Sequence, residues 1–500
     1  MILSWVFALL VLANSWVSDD AFISFRTVDN FVNGYGLRYN VVERVQTYTN
    51  PLLVILMIPI HYLFHGFGLN SMYFESLGLS YCFLLIFLLL IKKLVEKNRS
   101  RSLALLLLCL NVPVIDYFTS GLENSLNYIL VLFIVLLLKY ERYTLMSFFS
   151  GLLVLSRYDL FVLVIPLIVY IIIAKKAELK IVQYILLFVL PWISWVAFSL
   201  IYYGSLLPNS VIAKSAFDPS FYGIIRNCFY YIKGTLDWYP LVLIIPLILF
   251  GRLLNSKKEY LALLLGASFY FLLPFFAGGD FMAGRFQTII SVLLVLLYGI
   301  QIENVESQVV KFIPFITLIF FIHPNSLVTQ AKYSMFGGKD HWVLENVANE
   351  KMYYFRGTGL PVLLHESKSI NNYYRCRFGN EIRATDRDTI LQWLVAGYQS
   401  YYGGPKMYLT DRIGITDPLL ARLPSVDPDY WRPGHPEKSY PSGYLKTLQS
   451  KENLIEDINI HALYDDILLA TRSEELFTKE RWAAIWRLNT GQHKIERGYE

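Results

Sequence analysis

The chain has 500 residues, of which 55% are hydrophobic and 17% charged, and its formal net charge is +5 at pH 7. This balance excludes an ordinary soluble globular protein, in which roughly a quarter of the residues carry a charge. The small positive charge is explained by basic clusters between apolar segments, so we expect no nucleic acid partner.

The first apolar segment, residues 1–17, ends at two adjacent carboxylates, Asp19 and Asp20. No basic residue precedes the apolar run and its end is a poor cleavage site, which favours a retained anchor over a signal peptide. Two like charges at the end of an apolar helix repel each other and are costly to desolvate. We therefore take Asp19 and Asp20 as candidate catalytic residues. The alternative is that they only mark the membrane interface.

Residues 18–50 form a polar stretch that is rich in aromatic residues, as is typical of a loop packed near a bilayer surface. Within it, Arg26 and Tyr48 are candidate substrate contacts. Arg26 could pair with a donor phosphate or with the aspartates, or could simply extend towards lipid headgroups.

Residues 51–65 are apolar but fall short of the roughly 20 residues that cross a bilayer, so we predict a helix lying in the interface. Its two histidines, His61 and His65, are four residues apart. They could in principle bind a metal, although histidines that merely face the interface are more common.

The rest of the first 323 residues is predicted to cross the membrane repeatedly. Together with the first segment, eleven crossings are predicted, the others at residues 71–91, 102–116, 126–138, 143–156, 159–174, 180–203, 240–253, 259–276, 287–302 and 310–323. This count keeps the basic clusters on the cytoplasmic side and places the C-terminus outside. Several segments are short, so half-spans or tilted helices would change the count by one or two.

After residue 323 the composition becomes charged, tyrosine-rich and punctuated by glycine and proline. We predict a transmembrane domain at residues 1–323, with a catalytic first outer loop at 18–50, and an extracytoplasmic soluble domain at 324–500. In that domain, residues 387–399 predict a helix, 406–409 a short buried strand and 425–444 a proline-rich loop. The predicted class of the domain is mixed α/β.

Ionisable and amide side chains recur where predicted crossings emerge on the outer side. Their position at helix ends favours a site at the outer membrane surface over a transport path through the bilayer centre. Plainer roles remain open, because the two Asp–Arg combinations could be structural ion pairs and Glu123 could cap a helix. The residues are Asp116, Glu123, Arg157, Asp159, Asn209, Lys214, Asp280 and Arg285.

Four residues of the predicted outer domain form a candidate acceptor site. Asp411 and Asp417 lie around a turn, where aspartates are expected for local reasons. Trp431 and His435 lie in the proline-rich loop that follows and offer the aromatic and polar surface that carbohydrate recognition uses.

The residue types favour transfer of a group from a lipid-borne donor. Arginine and lysine at the interface can neutralise a lipid phosphate. A carboxylate can accept a proton from a sugar hydroxyl, or can hold a divalent cation, for which Asp19 and Asp20 are the candidate ligands. No nucleotide is supplied outside the membrane, and the chain has neither a Walker loop nor a dinucleotide fingerprint.

Four blocks of sequence carry a family resemblance. The run DDAFISFRTVDNFVNGYGLRYNVVERVQTYTN resembles the first outer loop of GT-C glycosyltransferases related to the mycobacterial terminal arabinofuranosyltransferase. The blocks YYGSLLPNSVIAK, GGDFMAGRF and DRIGITDPLLARLP resemble later signatures of that family. The resemblance extends from Asp19 to about Tyr444, with departures at Thr47, where the family usually has glycine, and at Asn124-Ser125, where Thr-Pro is common.

The resemblance implies a polytopic GT-C fold in a bacterial plasma membrane, with interfacial helices in the first outer loop and a soluble outer domain. It implies a polyprenyl-phosphate sugar donor, decaprenylphosphoryl arabinofuranose in the mycobacterial case, and it matches Asp19 and Asp20 to the paired aspartates of the family. The hypothesis is transfer of arabinofuranose, or a similar sugar, to an envelope glycan or surface protein.

Two alternatives remain. The chain could be a transporter or flippase of a lipid-linked saccharide, or a related mannosyl- or aminoarabinose-type transferase. The sequence leaves open the sugar, the acceptor, the metal requirement and which of the two aspartates is the base.

Overall fold

The computed structural model describes residues 2–68, 71–175, 178–216, 218–302, 342–427, 429–493 and residue 495. Within these ranges the chain is mostly helical, with four short strands. The predicted crossing at 310–323 and the predicted domain boundary at residue 323 lie outside the described residues.

The chain divides into two compact units. Unit 1 consists of Met1–Ser18, Ser71–Trp192 and Ile224–Lys368. Unit 2 consists of Asp19–Asn70, Ile193–Gly223 and Ser369–Glu500. Each unit therefore contains three separate pieces of chain, and unit 2 combines the predicted first outer loop with most of the predicted outer domain.

The first 302 residues contain fifteen α-helices in their described part. They are α1 (Ile2–Ala13), α2 (Ala21–Val32), α3 (Pro51–Gly66), α4 (Met72–Leu94), α5 (Asn98–Leu110), α6 (Val112–Asp116), α7 (Asn124–Lys139), α8 (Tyr143–Ser156), α9 (Phe161–Lys175), α10 (Glu178–Tyr202), α11 (Asn209–Ser215), α12 (Phe221–Trp238), α13 (Pro240–Leu253), α14 (Lys258–Phe276) and α15 (Gln287–Gln301).

Shorter elements follow from residue 343 onwards. The strands are β1 (Val343–Leu344), β2 (Val347–Ala348), β3 (Thr389–Gln392) and β4 (Met407–Thr410). The helices are α16 (Glu350–Thr358), α17 (Leu360–His365), α18 (Tyr374–Ala384), α19 (Tyr398–Gly403), α20 (Tyr444–Ser450), α21 (Ile458–Arg472) and α22 (Lys479–Asn489).

Three of the described helices are long and apolar enough to cross a membrane: Met72–Leu94, Lys180–Tyr202 and Lys258–Phe276. They coincide with the predicted segments at 71–91, 180–203 and 259–276. Helices α12 and α13 meet at an angle of 98°, and together they would make a fourth span if they form one broken crossing. The structure is thus compatible with a helical membrane protein, and the predicted count of eleven crossings stays a prediction.

Helix α4 shows how the sequence sets the limits of a span. It begins after Ser71, whose main-chain N–H donates to Glu75 Oε1 at 3.2 Å. Its last turn contains Lys92 and Lys93, where positive charge is favourable beside the exposed carbonyl groups of a helix C-terminus. A 16-residue helix, α3, likewise confirms the helix predicted at 51–65.

Close packing of α9 and α14 in unit 1 depends on Gly266. A Cβ atom at this position would overlap the main chain of Leu163. Small residues let two helix backbones approach in this way, which is a common device for packing helices in membranes.

Two small sheets complete the fold. Strands β1 and β2 pair antiparallel, and β3 pairs in parallel with β4 in the register Thr389 to Met407. The predicted strand at 406–409 is confirmed by β4. The predicted helix at 387–399 is wrong, because residues 389–392 form β3 and α19 begins only at Tyr398. The described residues of the proline-rich loop, from 425 to 443, contain no helix or named strand.

Candidate functional site

Asp19 lies buried in unit 2, where three donors hold its carboxylate. Oδ1 accepts from Arg375 Nη1 and from the main-chain N–H of Tyr398, each at 3.1 Å. Oδ2 accepts from the main-chain N–H of Gly397 at 2.9 Å. Burial raises the pKa of Asp19, and Arg375 and the two amides offset this only in part. The carboxylate is therefore held by protein donors on both oxygen atoms.

The approach of residue 397 to Asp19 requires glycine. A Cβ atom there would overlap both the main-chain oxygen and Oδ2 of Asp19. The contact joins the start of the first loop to the segment that leads into α19, and it places two main-chain donors on one carboxylate.

Asp20 is in a different environment from its neighbour. It is half-buried and directly precedes α2, with helical backbone angles of φ −59° and ψ −28°, and its side chain does not cap that helix. The structure therefore separates the two aspartates that the sequence left equivalent. Asp19 is buried and accepts three hydrogen bonds, whereas Asp20 remains partly accessible.

The oxygens of Asp19 accept hydrogen bonds from a guanidinium and two N–H groups, an arrangement that is not typical of a metal ligand. Among the described residues, no three His, Cys, Asp or Glu side chains converge as metal ligands. His61 is buried, with Nε2 3.0 Å from Asp29 Oδ1, and its ring centroid lies 6.2 Å from that of His65. The contacts of Asp19 and His61 therefore do not form a metal site.

Arg26 is buried in unit 2 and contacts main-chain oxygens. It donates to the carbonyl oxygens of Tyr39 at 2.9 Å, Ser400 at 2.8 Å, Gly404 at 3.3 Å and Met407 at 2.5 Å. Its guanidinium also lies over the Tyr39 ring, 4.6 Å from the centroid. These contacts indicate a structural role for Arg26, which connects α2 to the segment around β4. A phosphate contact would require several of them to break.

Two further candidates from the sequence lie in unit 2 and differ in their exposure. Tyr48 is buried in unit 2, its hydroxyl 2.8 Å from that of Tyr203 and its ring 6.2 Å from Trp195. Lys214, on α11 in the same unit, is exposed. Neither is held in a geometry that by itself indicates a ligand.

Unit 1 brings together three candidates from separate predicted loops. Glu123 Oε1 accepts from Arg157 Nη1 at 3.1 Å and from Arg285 Nη2 at 2.8 Å. We call these three residues the Glu123 cluster. Burial raises the pKa of Glu123, but Arg285 and Arg157 outweigh this and hold the pKa below its usual value. One ionised carboxylate is thus shared by two guanidinium groups.

Asp159 extends the cluster on one side. Arg157 Nε donates to Asp159 Oδ1, and Nη2 donates to Oδ2, both at 2.9 Å. Arg157 also lies over the Phe286 ring, 4.2 Å from its centroid. Arg157 is therefore fixed by a two-point ion pair, as the structural alternative predicted, while it also reaches Glu123. Asp280 lies half-buried in the segment that leads to Arg285.

A second buried ion pair lies in unit 1 between Asp116 and Lys351, with Nζ 2.5 Å from Oδ1. Lys351 also donates to Asn14, and the Tyr239 hydroxyl donates to Asp116 Oδ2 at 3.0 Å. Both charged groups are almost completely buried. The sequence did not indicate Lys351, because 235 residues separate it from its partner.

The acceptor candidates mostly have local partners in unit 2. Asp411 accepts from the main-chain N–H groups of Ile415 and Thr416, as expected of a turn aspartate. Asp417 accepts from Leu419 and Leu420 N–H at Oδ1, and from the hydroxyls of Thr410 and Tyr444 at Oδ2. These contacts support the structural alternative for both aspartates.

Trp431 is buried, and His435 is half-buried with Nδ1 3.1 Å from the Pro433 carbonyl oxygen. Burial, reinforced by the charge of Arg432, lowers the pKa of His435 to about 3. His435 is therefore neutral at pH 7, and its role in acceptor binding stays a prediction.

Polar side chains continue from Glu123 along one face of α7. Asn124, Asn127 and Tyr128 are fully buried, at positions that share a helix face. Asn124 Nδ2 donates to Thr288 Oγ1 at 3.2 Å. The Tyr128 hydroxyl lies within hydrogen-bonding range of the side chains of Thr288 and Asn124. Two other atoms of this face, the amide oxygen and the amide nitrogen of Asn127, have no hydrogen-bond partner within the described ranges. Each such group destabilises a fold by about 1–3 kcal/mol, so these atoms call for partners.

The sequence missed the groups that define these environments. Arg375, Gly397 and Tyr398 hold Asp19 across more than 350 residues of chain, and pairings over such separations leave no periodic signal. The composition of α7 could have indicated its polar face, because asparagines at 124 and 127 interrupt the start of an apolar helix.

No protein-family model matches the chain, and no curated protein is significantly similar to it.

Proposed function

We propose that the protein transfers a sugar, with arabinofuranose the first candidate, from a polyprenyl-phosphate donor to an envelope glycan or surface protein. The reaction takes place on the outer face of a bacterial plasma membrane, in a GT-C enzyme. The observation that carries the proposal is the Glu123 cluster, in which a buried arginine, Arg157, and a partly buried one, Arg285, from separate connections between apolar helices share one carboxylate. The likeness of the first loop to GT-C transferases supplies the reaction class.

The cluster suits a phosphate that gains charge during the reaction. A polyprenyl-phosphoryl sugar is a phosphate diester with one negative charge. When its bond to the sugar carbon breaks, the electron pair stays on the phosphate oxygen, and the leaving lipid phosphate carries about two charges. Guanidinium groups stabilise that developing charge, because they donate paired hydrogen bonds to phosphate oxygens. In the unbound protein, the Glu123 carboxylate occupies this position between Arg157 and Arg285.

The acceptor hydroxyl forms the new bond to the sugar carbon and must lose its proton. Asp20 is the base in this proposal, because it is the partly accessible member of the pair. Asp19 instead orients the loop, since Arg375 and two amides already occupy its oxygens. General bases of this kind contribute about 10²- to 10⁴-fold to a rate.

Replacing Arg285 tests the role of the cluster. Loss of one charge-assisted hydrogen bond to the leaving phosphate is expected to lower kcat/KM for decaprenylphosphoryl arabinofuranose about 10- to 100-fold in Arg285→Gln, because the contact strengthens as charge develops. Arg285→Lys should recover part of this effect, because it keeps the charge without the planar fork. Arg487→Gln is the matched control, because Arg487 pairs with Asp466 near the C-terminus. Equal kcat/KM values for Arg285→Gln and the control would contradict the proposal.

One observation favours the transporter alternative. Asp116 and Lys351 form an ion pair that is almost completely buried, and buried ionisable residues of membrane proteins often mark transport or proton pathways. Movement of a fluorescent lipid-linked pentose across proteoliposome membranes, lost in Lys351→Met and without any sugar transfer, would establish that alternative.

A further inference from the structure

The buried polar face of α7 has chemistry that the ion pairs do not use. Asn127 lies one turn beyond Glu123, and neither its amide oxygen nor its amide nitrogen has a hydrogen-bond partner in the described part of the chain. The Tyr128 hydroxyl lies beside the side chains of Thr288 and Asn124, which belong to the same polar region. Asn124, Asn127 and Tyr128 are all fully buried.

This face is continuous with the Glu123 cluster. Asn124 directly follows Glu123, and its amide nitrogen donates to Thr288 Oγ1 at 3.2 Å. The Thr288 hydroxyl in turn donates to the main-chain oxygen of Arg285 at 2.6 Å. Arg285 then donates to Glu123 at 2.8 Å. A chain of short contacts thus links the uncharged polar face to one of the two arginines.

We infer that this face of α7 is a subsite for the hydroxyl groups of a sugar. The inference rests on the proposed function, in which the neighbouring arginines hold the phosphate of the same donor. Amide and phenol groups both donate and accept hydrogen bonds, as sugar hydroxyls do. The polar side chains of this face carry no charge, so the face suits a neutral polyhydroxylated ligand rather than an anion. Tyr128 adds an aromatic ring beside those polar atoms.

A subsite and a structural core respond differently to the same substitution. If Asn127 stabilises the fold, an apolar replacement of similar size weakens it. If Asn127 binds sugar, Asn127→Leu removes two buried amide atoms that lack protein partners, and the unbound protein keeps or gains stability. The expected signature is weaker sugar binding at an undiminished thermal midpoint.

Binding of two lipids to the purified protein in detergent tests the inference. The probes are decaprenylphosphoryl arabinofuranose and decaprenyl phosphate, which lacks the sugar. Asn127→Leu is expected to weaken binding of decaprenylphosphoryl arabinofuranose about 10-fold, because two neutral hydrogen bonds to the sugar are lost. Binding of decaprenyl phosphate should not change. Tyr128→Phe, which removes a single hydroxyl, should weaken sugar-dependent binding about 5-fold and gives a second measurement if the leucine variant does not fold.

Ser150→Ala is the matched control, because Ser150 is a buried residue of α8 whose hydroxyl already donates to Met146 at 2.9 Å. Unchanged sugar-dependent binding in both α7 variants would overturn the subsite while leaving the donor proposal intact. Failure of the wild-type protein to bind either lipid would overturn both.

Discussion

At the scale of single residues, the close contact between Gly397 and Asp19 leads to the most specific prediction. Because a Cβ atom there would overlap Asp19, Gly397→Ala is expected to displace the Asp19 carboxylate and lower the thermal midpoint. Core overpacking of this kind destabilises by about 1–3 kcal/mol. Gly66→Ala is the control, because a Cβ at Gly66 meets no atom within 4 Å. Equal midpoints for the two variants would show that the contact with Asp19 does not constrain the loop.

Burial of the Asp417 carboxyl should make the stability of the fold depend on pH. Burial raises its pKa from 3.8 to about 6, although Thr410 and the Leu420 amide favour the charged form. Since the folded-state pKa lies above the unfolded value, its contribution to stability is fully present below about pH 3.8 and is lost as the pH rises through about 6. The shift corresponds to about 3 kcal/mol.

The measurement is the thermal midpoint of the wild-type protein relative to Asp417→Asn, whose side chain does not titrate. The wild-type value should fall relative to the variant between pH 4 and pH 7 and stay level above that. A difference that is constant over this range would mean that Asp417 titrates normally.

Residue types alone identified several members of the candidate site but not their partners. Glu123, Arg157 and Arg285 were predicted individually, and the structure shows that they meet. The sequence left Asp19 and Asp20 equivalent, because their environments are set by Arg375 and Gly397, far along the chain. Asp411 and Asp417 illustrate the reverse case, in which a local turn explains the residue type.

At the scale of elements, α12 has three faces. Ile225, Phe229, Ile232 and Leu236 form an exposed apolar stripe, while Tyr231 lies on the buried face. Arg226, Lys233 and Asp237 lie along one flank. This pattern is typical of a helix in the membrane interface, and the 98° angle to α13 is compatible with that position. The charged flank interrupts the apolar run, which is why the sequence did not predict a span here.

Spin labels on α12 test this placement. In a protein whose native cysteines are replaced, labels at Phe229→Cys should be accessible to oxygen dissolved in lipid, whereas labels at Lys233→Cys should be accessible to a water-soluble nickel complex. Both positions are exposed, so the comparison isolates the surrounding medium. Water accessibility at both positions would place the stripe outside the membrane.

Residues 387–399 show why element type is hard to predict when an apolar run is short. Ile390 and Leu391 fit a helical spacing, yet they pair with Tyr408 and Leu409 in a parallel ladder. Thr389 and Ile390 are β-branched, which suits a strand, and a partner strand 18 residues away decides the outcome. Strand β4 was predicted correctly because its short apolar run is bounded by turn residues.

At the scale of the whole molecule, composition predicts a helical membrane protein, and three described helices could cross a bilayer. It does not predict how the chain is divided. Unit 2 joins the first loop to residues from Ser369 onwards, because buried contacts such as those of Arg26 with Ser400 and Met407 connect them. A boundary drawn from composition assumes contiguous domains and cannot detect such an arrangement.

The most direct test of the account is transfer of labelled sugar from decaprenylphosphoryl arabinofuranose to cell-envelope acceptors by the purified protein in detergent. The wild-type protein should transfer label, and a parallel sample with a chelator tests whether a divalent cation assists the reaction. Asp20→Asn should lose at least about 100-fold in rate at an unchanged thermal midpoint, as expected for loss of a general base. Asp19→Asn should lose both activity and stability. Wild-type turnover by Asp20→Asn would contradict the assigned base. No transfer by a folded preparation across a panel of lipid-linked sugars would contradict the transferase itself.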